Sequence, residues 1–155
     1  MPSDRGVTSV TSGWGAEVPL ALKGGSMQLI KVVSSRTFGC NVDGSTLITN
    51  LDDVLVDALM AKSAAAYILF ESMSGDEMKV EVNWNQTPDG VNFAGPPGGP
   101  LLSIDPVTLG LHANPSATDV TTVAKMGLIV EVTDTATSPV YQSVTLSIWL
   151  VLKPF

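Results

Sequence analysis

The residues of this 155-residue chain that could do chemistry are few. His112 is the single histidine, so a Ser-His-Asp triad or a histidine-based metal site would rest on it alone. It lies in LGLHANP, which reads as a loop with no partner evident for a titrating role. Cys40 is the single cysteine, which excludes an intrachain disulfide and a thiolate metal cluster. As a nucleophile it would need a base, and a small buried hydrophobe is the simpler state. Carboxylates come in pairs at Asp52/Asp53 and Asp76/Glu77, and singly at Asp105, Asp119 and Asp134. Glycoside hydrolysis needs two of them facing across a cleft, and the spacing points to no such pair. The stretch AGPPGGP has the glycines of a phosphate cradle, but its prolines remove amide donors and no GK[ST] follows. Residues 41–46, NVDGST, are the nearest approach to a calcium loop and lack its alternating acids. No catalytic residue, metal ligand or cofactor is expected.

Composition turns attention from catalysis to surfaces. Hydrophobic residues make up 45% of the chain and charged residues only 15%, at a mean hydropathy of +0.30. So few charges leave apolar side chains on the surface, which suits a protein that buries area against partners. The formal net charge of -7 repels nucleic acid and anionic membranes, and the eight basic residues form no cluster. Apolar runs stay below the roughly 18 residues of a membrane span, and the first residues carry no charged-then-apolar signal pattern.

The elements that must position these residues are mostly strands. Residues 1–17, rich in Ser, Thr and Gly with Trp14 among them, read as an extended N-terminal arm. A single domain is expected over 18–155. Residues 18–23 and 27–34 read as strands around Gly24-Gly25, and Asp43-Gly44 as a hairpin-type turn. Residues 50–67 read as one short helix, capped by Asn50, with Asp52 and Asp53 in its first turn, or alternatively as carrying a strand through Val54-Leu55-Val56. Leu51, Val54, Leu55, Ala58 and Leu59 supply the helix's apolar stripe. In EMKVEVNW the alternation puts Met78, Val80, Val82 and Trp84 on one face, and in KMGLIVEVTD it turns Met126, Leu128, Val130 and Val132 inward. The last strand carries Val140, Val144, Leu146, Ile148, Leu150 and Leu152 on its apolar side and Trp149 among Ser and Thr on the other. The short TATSP turn between these two strands predicts that they form an antiparallel hairpin. Strands separated by Gly, Pro and Asp turns, with at most one helix, predict an all-β antiparallel sandwich of jelly-roll type.

The segment KVEVNWNQTPDGVNF is a strand, a polar turn and a returning aromatic. With the strands KMGLIVEVTD and VTLSIWLVLK that follow, it resembles the small β-sandwich structural proteins of tailed-phage virions over residues 65–153. That resemblance implies a capsid decoration, or cement, protein on the capsid surface, made in the host cytoplasm. Its partners would be the major capsid protein and further copies of itself, as a homo-oligomer, in such proteins often a trimer. The alternative it leaves open is a carbohydrate-binding sandwich on a tail or fibre. Asp-Gly first of all makes a tight turn, so Asp89 and Gly90 are read as structural. The contact residues expected are Trp14 in the arm, Pro96, Pro97 and Pro100 in the long Pro/Gly loop, and Trp149 on the last strand.

Overall fold

The computed structural model describes residues 9–11, 17–19, 27–95, 99–114, 117–137 and 140–155, with backbone alone at 9–11, 17–19 and 52. Trp14, Pro96 and Pro97 lie outside the described residues. Eleven strands and no helix make up the described secondary structure: β1 (Ser9–Thr11), β2 (Glu17–Pro19), β3 (Gln28–Gly39), β4 (Leu47–Asp57), β5 (Ala61–Met73), β6 (Met78–Thr87), β7 (Leu102–Ile104), β8 (Gly110–Ala113), β9 (Thr118–Asp119), β10 (Lys125–Asp134) and β11 (Ser143–Pro154). β1 and β2 pair only with each other.

The remaining strands form two antiparallel sheets, in the orders β4-β10-β6-β7 and β3-β11-β5-β8, with β9 pairing β5. Pairing is nested: β3 lies beside the last strand, β4 beside the one before it, β5 beside β8, and β6 beside β7. A strand ribbon folded on itself and wrapped round a core gives this order, and it is the jelly-roll order. The core is what wraps it. Phe70, Ile68, Leu146, Ile148 and Leu150 from one sheet are fully buried with Trp84, Met78, Met126, Leu128 and Val54 from the other. Each such side chain contributes about 1.5–3 kcal/mol by leaving water.

Four expectations are corrected by this arrangement. Residues 50–67 form no helix; they are the end of β4, a tight turn at 58–60 and the start of β5. The helix-like spacing has a cause in the sheet. Leu128 opposes Leu51 while its neighbour Gly127 opposes Leu55, so residues 52–54 bulge out of the ladder. The bulge sends Leu51 and Val54 into the same core three residues apart, imitating a helical period within a strand. Asp53 accordingly caps nothing and lies 3.9 Å from Arg36.

β10 and β11 do not form a hairpin. They are central strands of opposite sheets, each flanked on both sides. A period of two tells which side chains face the core and is silent about which strand lies alongside. Asp43-Gly44 likewise makes a turn, with Gly44 at φ 86° and its amide 2.9 Å from Asn41 O, but it leads from β3 across to β4 in the other sheet. Val140, expected inward, is 56% exposed before β11 begins.

Candidate interaction surface

Several carboxylates serve their own turns. Asp89 Oδ1 accepts the amides of Asn92 at 2.8 Å and Val91 at 2.9 Å, and Oδ2 accepts the Asn92 side chain at 2.7 Å. These donors, the Asn92 amide first, hold its carboxyl well below the usual range. Thr87 Oγ1 accepts the Gly90 amide at 2.8 Å, and Gly90 sits at φ 81°, so the PDG stretch is the turn expected. The turn runs over its own sheet: a Cβ on Gly90 would lie 3.1 Å from Leu55 of β4. The Ser45 hydroxyl lowers Asp43, the Thr121 hydroxyl lowers Asp119, and the Val140 amide lowers Asp134 in the same manner. Such groups stay ionised and make poor general acids.

His112 lies in β8 and not in a loop. Its Nε2 is 2.9 Å from Thr108 O, and its ring stands edge-on to Phe70 at 5.4 Å. Cys40 is buried, its Sγ accepting the Gln142 amide at 3.2 Å. Among the described residues no group of three His, Cys, Asp or Glu could hold a metal.

What the fold does build is a surface. The outer face of the β3-β11-β5-β8 sheet divides into two halves. In the polar half Ser147 Oγ donates to Glu71 at 2.6 Å and accepts the Ser35 amide at 2.9 Å, and Ser35 Oγ donates to Glu71 at 2.8 Å. Both partners are bulged: β5 has an extra residue at Glu71, and β3 departs from register around Ser35, whose φ is +47°. The Ser147 hydroxyl lowers the Glu71 carboxyl first, the Ser35 hydroxyl next.

The other half is apolar. In one row Lys31, Trp149, Tyr67 and Ala113 stand side by side across four strands; in the next, Leu29, Val151 and Ala65. All of these except Lys31 line a depression of about 860 Å³ with Met27 and Leu111. Leu29 is 47% exposed and Leu111 62%, a cost in water unless something covers them. Lys31 Nζ sits 5.1 Å from the Trp149 ring centroid, a cation–π contact at the patch centre. Trp149, expected at a contact, is thus placed in the middle of this face. Pro100 is exposed ahead of β7, in the other sheet, so the two are not brought together. Leu29, Tyr67, Leu111 and Val151 were missed by sequence reasoning. For Leu29, Tyr67 and Val151 the signal was an apolar residue on the outward parity of a strand whose inward parity is already apolar; Leu111 alternates with Gly110 and His112 and carried no such signal.

The opposite sheet carries a smaller feature. Phe93, 49% exposed, overhangs a depression of about 270 Å³ lined by Asn50, Leu55, Asn85 and Gly127. Asn85 Oδ1 is buried there without a hydrogen-bond partner. Gly127 is required beneath it, since a Cβ would lie 2.4 Å from that oxygen.

No protein-family model and no curated protein matches the sequence. Solved structures do match the fold. The VP2 subviral particle of infectious bursal disease virus superposes with a TM-score of 0.52 at 12% identity, over 89% of this chain and 34% of that one. The Gx strain of the same virus gives 0.49 at 10% identity, over 82% and 32%. The coat protein of tobacco streak virus gives 0.38 at 10% identity, over 87% and 91%. The chain spans about a third of the length of the infectious bursal disease virus chains. At such identities what is shared is the fold: an all-β sandwich whose structural neighbours are viral capsid proteins.

Proposed function

We propose that this chain is a virion structural protein of the capsid-decoration kind, which binds the major capsid protein and further copies of itself to stabilise the shell. The observation that carries this reading is the apolar outer face around Trp149, set on a jelly roll in which Asp43, Asp89, Asp119 and Asp134 are taken up by their own turns. A decoration protein needs broad, weakly charged faces and no pocket for chemistry, because many copies on a lattice supply avidity. The arm at residues 1–17 and the loop at 96–100 belong to the proposal as further contacts to the shell. Synthesis in the host cytoplasm and a place on the capsid surface follow from it. The test is co-sedimentation of the purified chain with emptied, expanded tailed-phage shells, with light scattering of the chain alone. Retention on shells together with an oligomeric mass is expected. A strictly monomeric chain left in the supernatant overturns the reading.

A second reading, a carbohydrate-binding module on a tail or fibre, is favoured by the half-exposed Phe93 over a depression that the exposed Asn50 also lines, an aromatic beside a polar side chain. Retention of no glycan on an array removes it.

A further inference from the structure

We propose that the outer face of the β3-β11-β5-β8 sheet docks onto the same face of a second copy, across a two-fold axis that crosses β11 between Trp149 and Val151. The inference rests on the self-association in the proposed function and gives it a surface and a symmetry. Charge placement argues for it. Lys153 lies at the apolar end of the face and Glu71, bonded to Ser147, at the other. Along β11 the midpoint between positions 147 and 153 falls between Trp149 and Val151. A half-turn about that point brings each Lys153 over the Glu71 of the other copy, lays Trp149 on Val151, and repeats both contacts, as an isologous interface requires. Among the described residues Lys153 has no carboxylate within 4 Å in its own chain, so the partner supplies what the fold withholds. On a chain of net charge -7, a random face would repel its copy; this one balances Lys31 and Lys153 against Glu71 and against Asp119 of β9, which lies two strands from Lys153 in the same row.

Area is sufficient. Four strands about 4.8 Å apart and seven residues at about 3.3 Å each give a footprint of roughly 19 by 23 Å. That is about 900 Å² over two copies before corrugation is counted, close to the roughly 1,000 Å² that a specific interface clears.

Sedimentation of the full chain over a concentration series tests the arrangement. A monomer–dimer equilibrium is expected, weakened about tenfold or more by Trp149→Ser and by Lys153→Glu. The double change Lys153→Glu with Glu71→Lys restores most of it. Circular dichroism checks folding, and Tyr67→Ser replaces Trp149→Ser if that variant misfolds. A dimer indifferent to these changes, or a trimer, overturns the two-fold contact and leaves the virion reading standing. A monomer that still binds shells overturns self-association alone, and a monomer that ignores shells overturns both.

Discussion

The Asp134 carboxylate and the Gln142 side-chain amide meet at 2.8 Å where β10 gives way to β11. Around this pair three sheet crossings are tied together. Asp134 Oδ1 accepts the Ala136 amide at 2.7 Å and Oδ2 accepts that of Val140. Gln142 Nε2 also donates to Glu77 O at 3.2 Å, in the β5–β6 crossing, and Gln142 O accepts the Cys40 amide at 3.0 Å, in the β3–β4 crossing. The Asp134 amide itself donates to Gly44 O at 3.0 Å.

Acid should loosen this end. The folded carboxyl of Asp134 is lowered from 3.8, chiefly by the Val140 and Ala136 amides. Its contribution is therefore present above about pH 3.8 and lost as pH falls through the lower folded value. Asp89 adds a contribution of the same sign. Asp134→Asn is expected to lower stability at neutral pH and flatten the acid limb of a denaturant-midpoint series between pH 5 and 2. An unchanged limb contradicts the role given to this carboxylate.

Gly75 is expected to tolerate no side chain. A Cβ there would lie 2.1 Å from Gln142 Oε1, an atom that is buried and already without a partner. Gly75→Ala should cost about 1–3 kcal/mol by urea unfolding. In a double-mutant cycle Gln142→Ala should remove part of that cost, since the two positions touch. Additive losses would place the clash elsewhere.

Trp84 is fully buried and donates Nε1–H to Gly99 O at 3.2 Å, fastening the loop before β7 to the core. Trp84→Ala should cost about 3–5 kcal/mol. Trp84→Phe should lose less and expose the 95–100 segment to proteolysis, with the core otherwise kept. Equal protease resistance in wild type and Trp84→Phe would show that the indole bond does not hold the loop.

Gly90→Ala puts a side chain at φ 81° and within 3.1 Å of Leu55. A loss of about 1–2 kcal/mol is expected from the left-handed backbone alone. Gly90→Asn should lose less, because Asn tolerates that region better. The ordering of the two melting temperatures decides it.

Legibility in the sequence followed parity. The inward faces of β6 and β10 were readable because Met78 to Trp84 and Met126 to Val132 alternate without interruption and lie in the middle of a sheet. Residues 51–58 misled because three bulged residues impose a spacing of three on a strand. Pairing was illegible for β10 and β11, since a turn of a few residues can close a hairpin or cross a sandwich, and the deciding bonds run from Asp134 to Gln142, Cys40 to Gln142 and Asp134 to Gly44. Of the interaction surface, Trp149 was visible as an aromatic on the Ser/Thr parity of β11. Its neighbours Leu29, Tyr67 and Leu111 come from three other strands and meet it only through the sheet order.

Both long edge strands are broken near their middles, β4 by the bulge at 52–54 and β3 by its shifts of register around Val33 and Ser35. A straight strand from a neighbour could follow either edge for only a few residues before its amides met no carbonyl. Stacking of copies edge to edge into a continuous fibre is thereby frustrated. Growth of an assembly is diverted to its faces, where side-chain fit sets the spacing and the number of copies is limited by geometry.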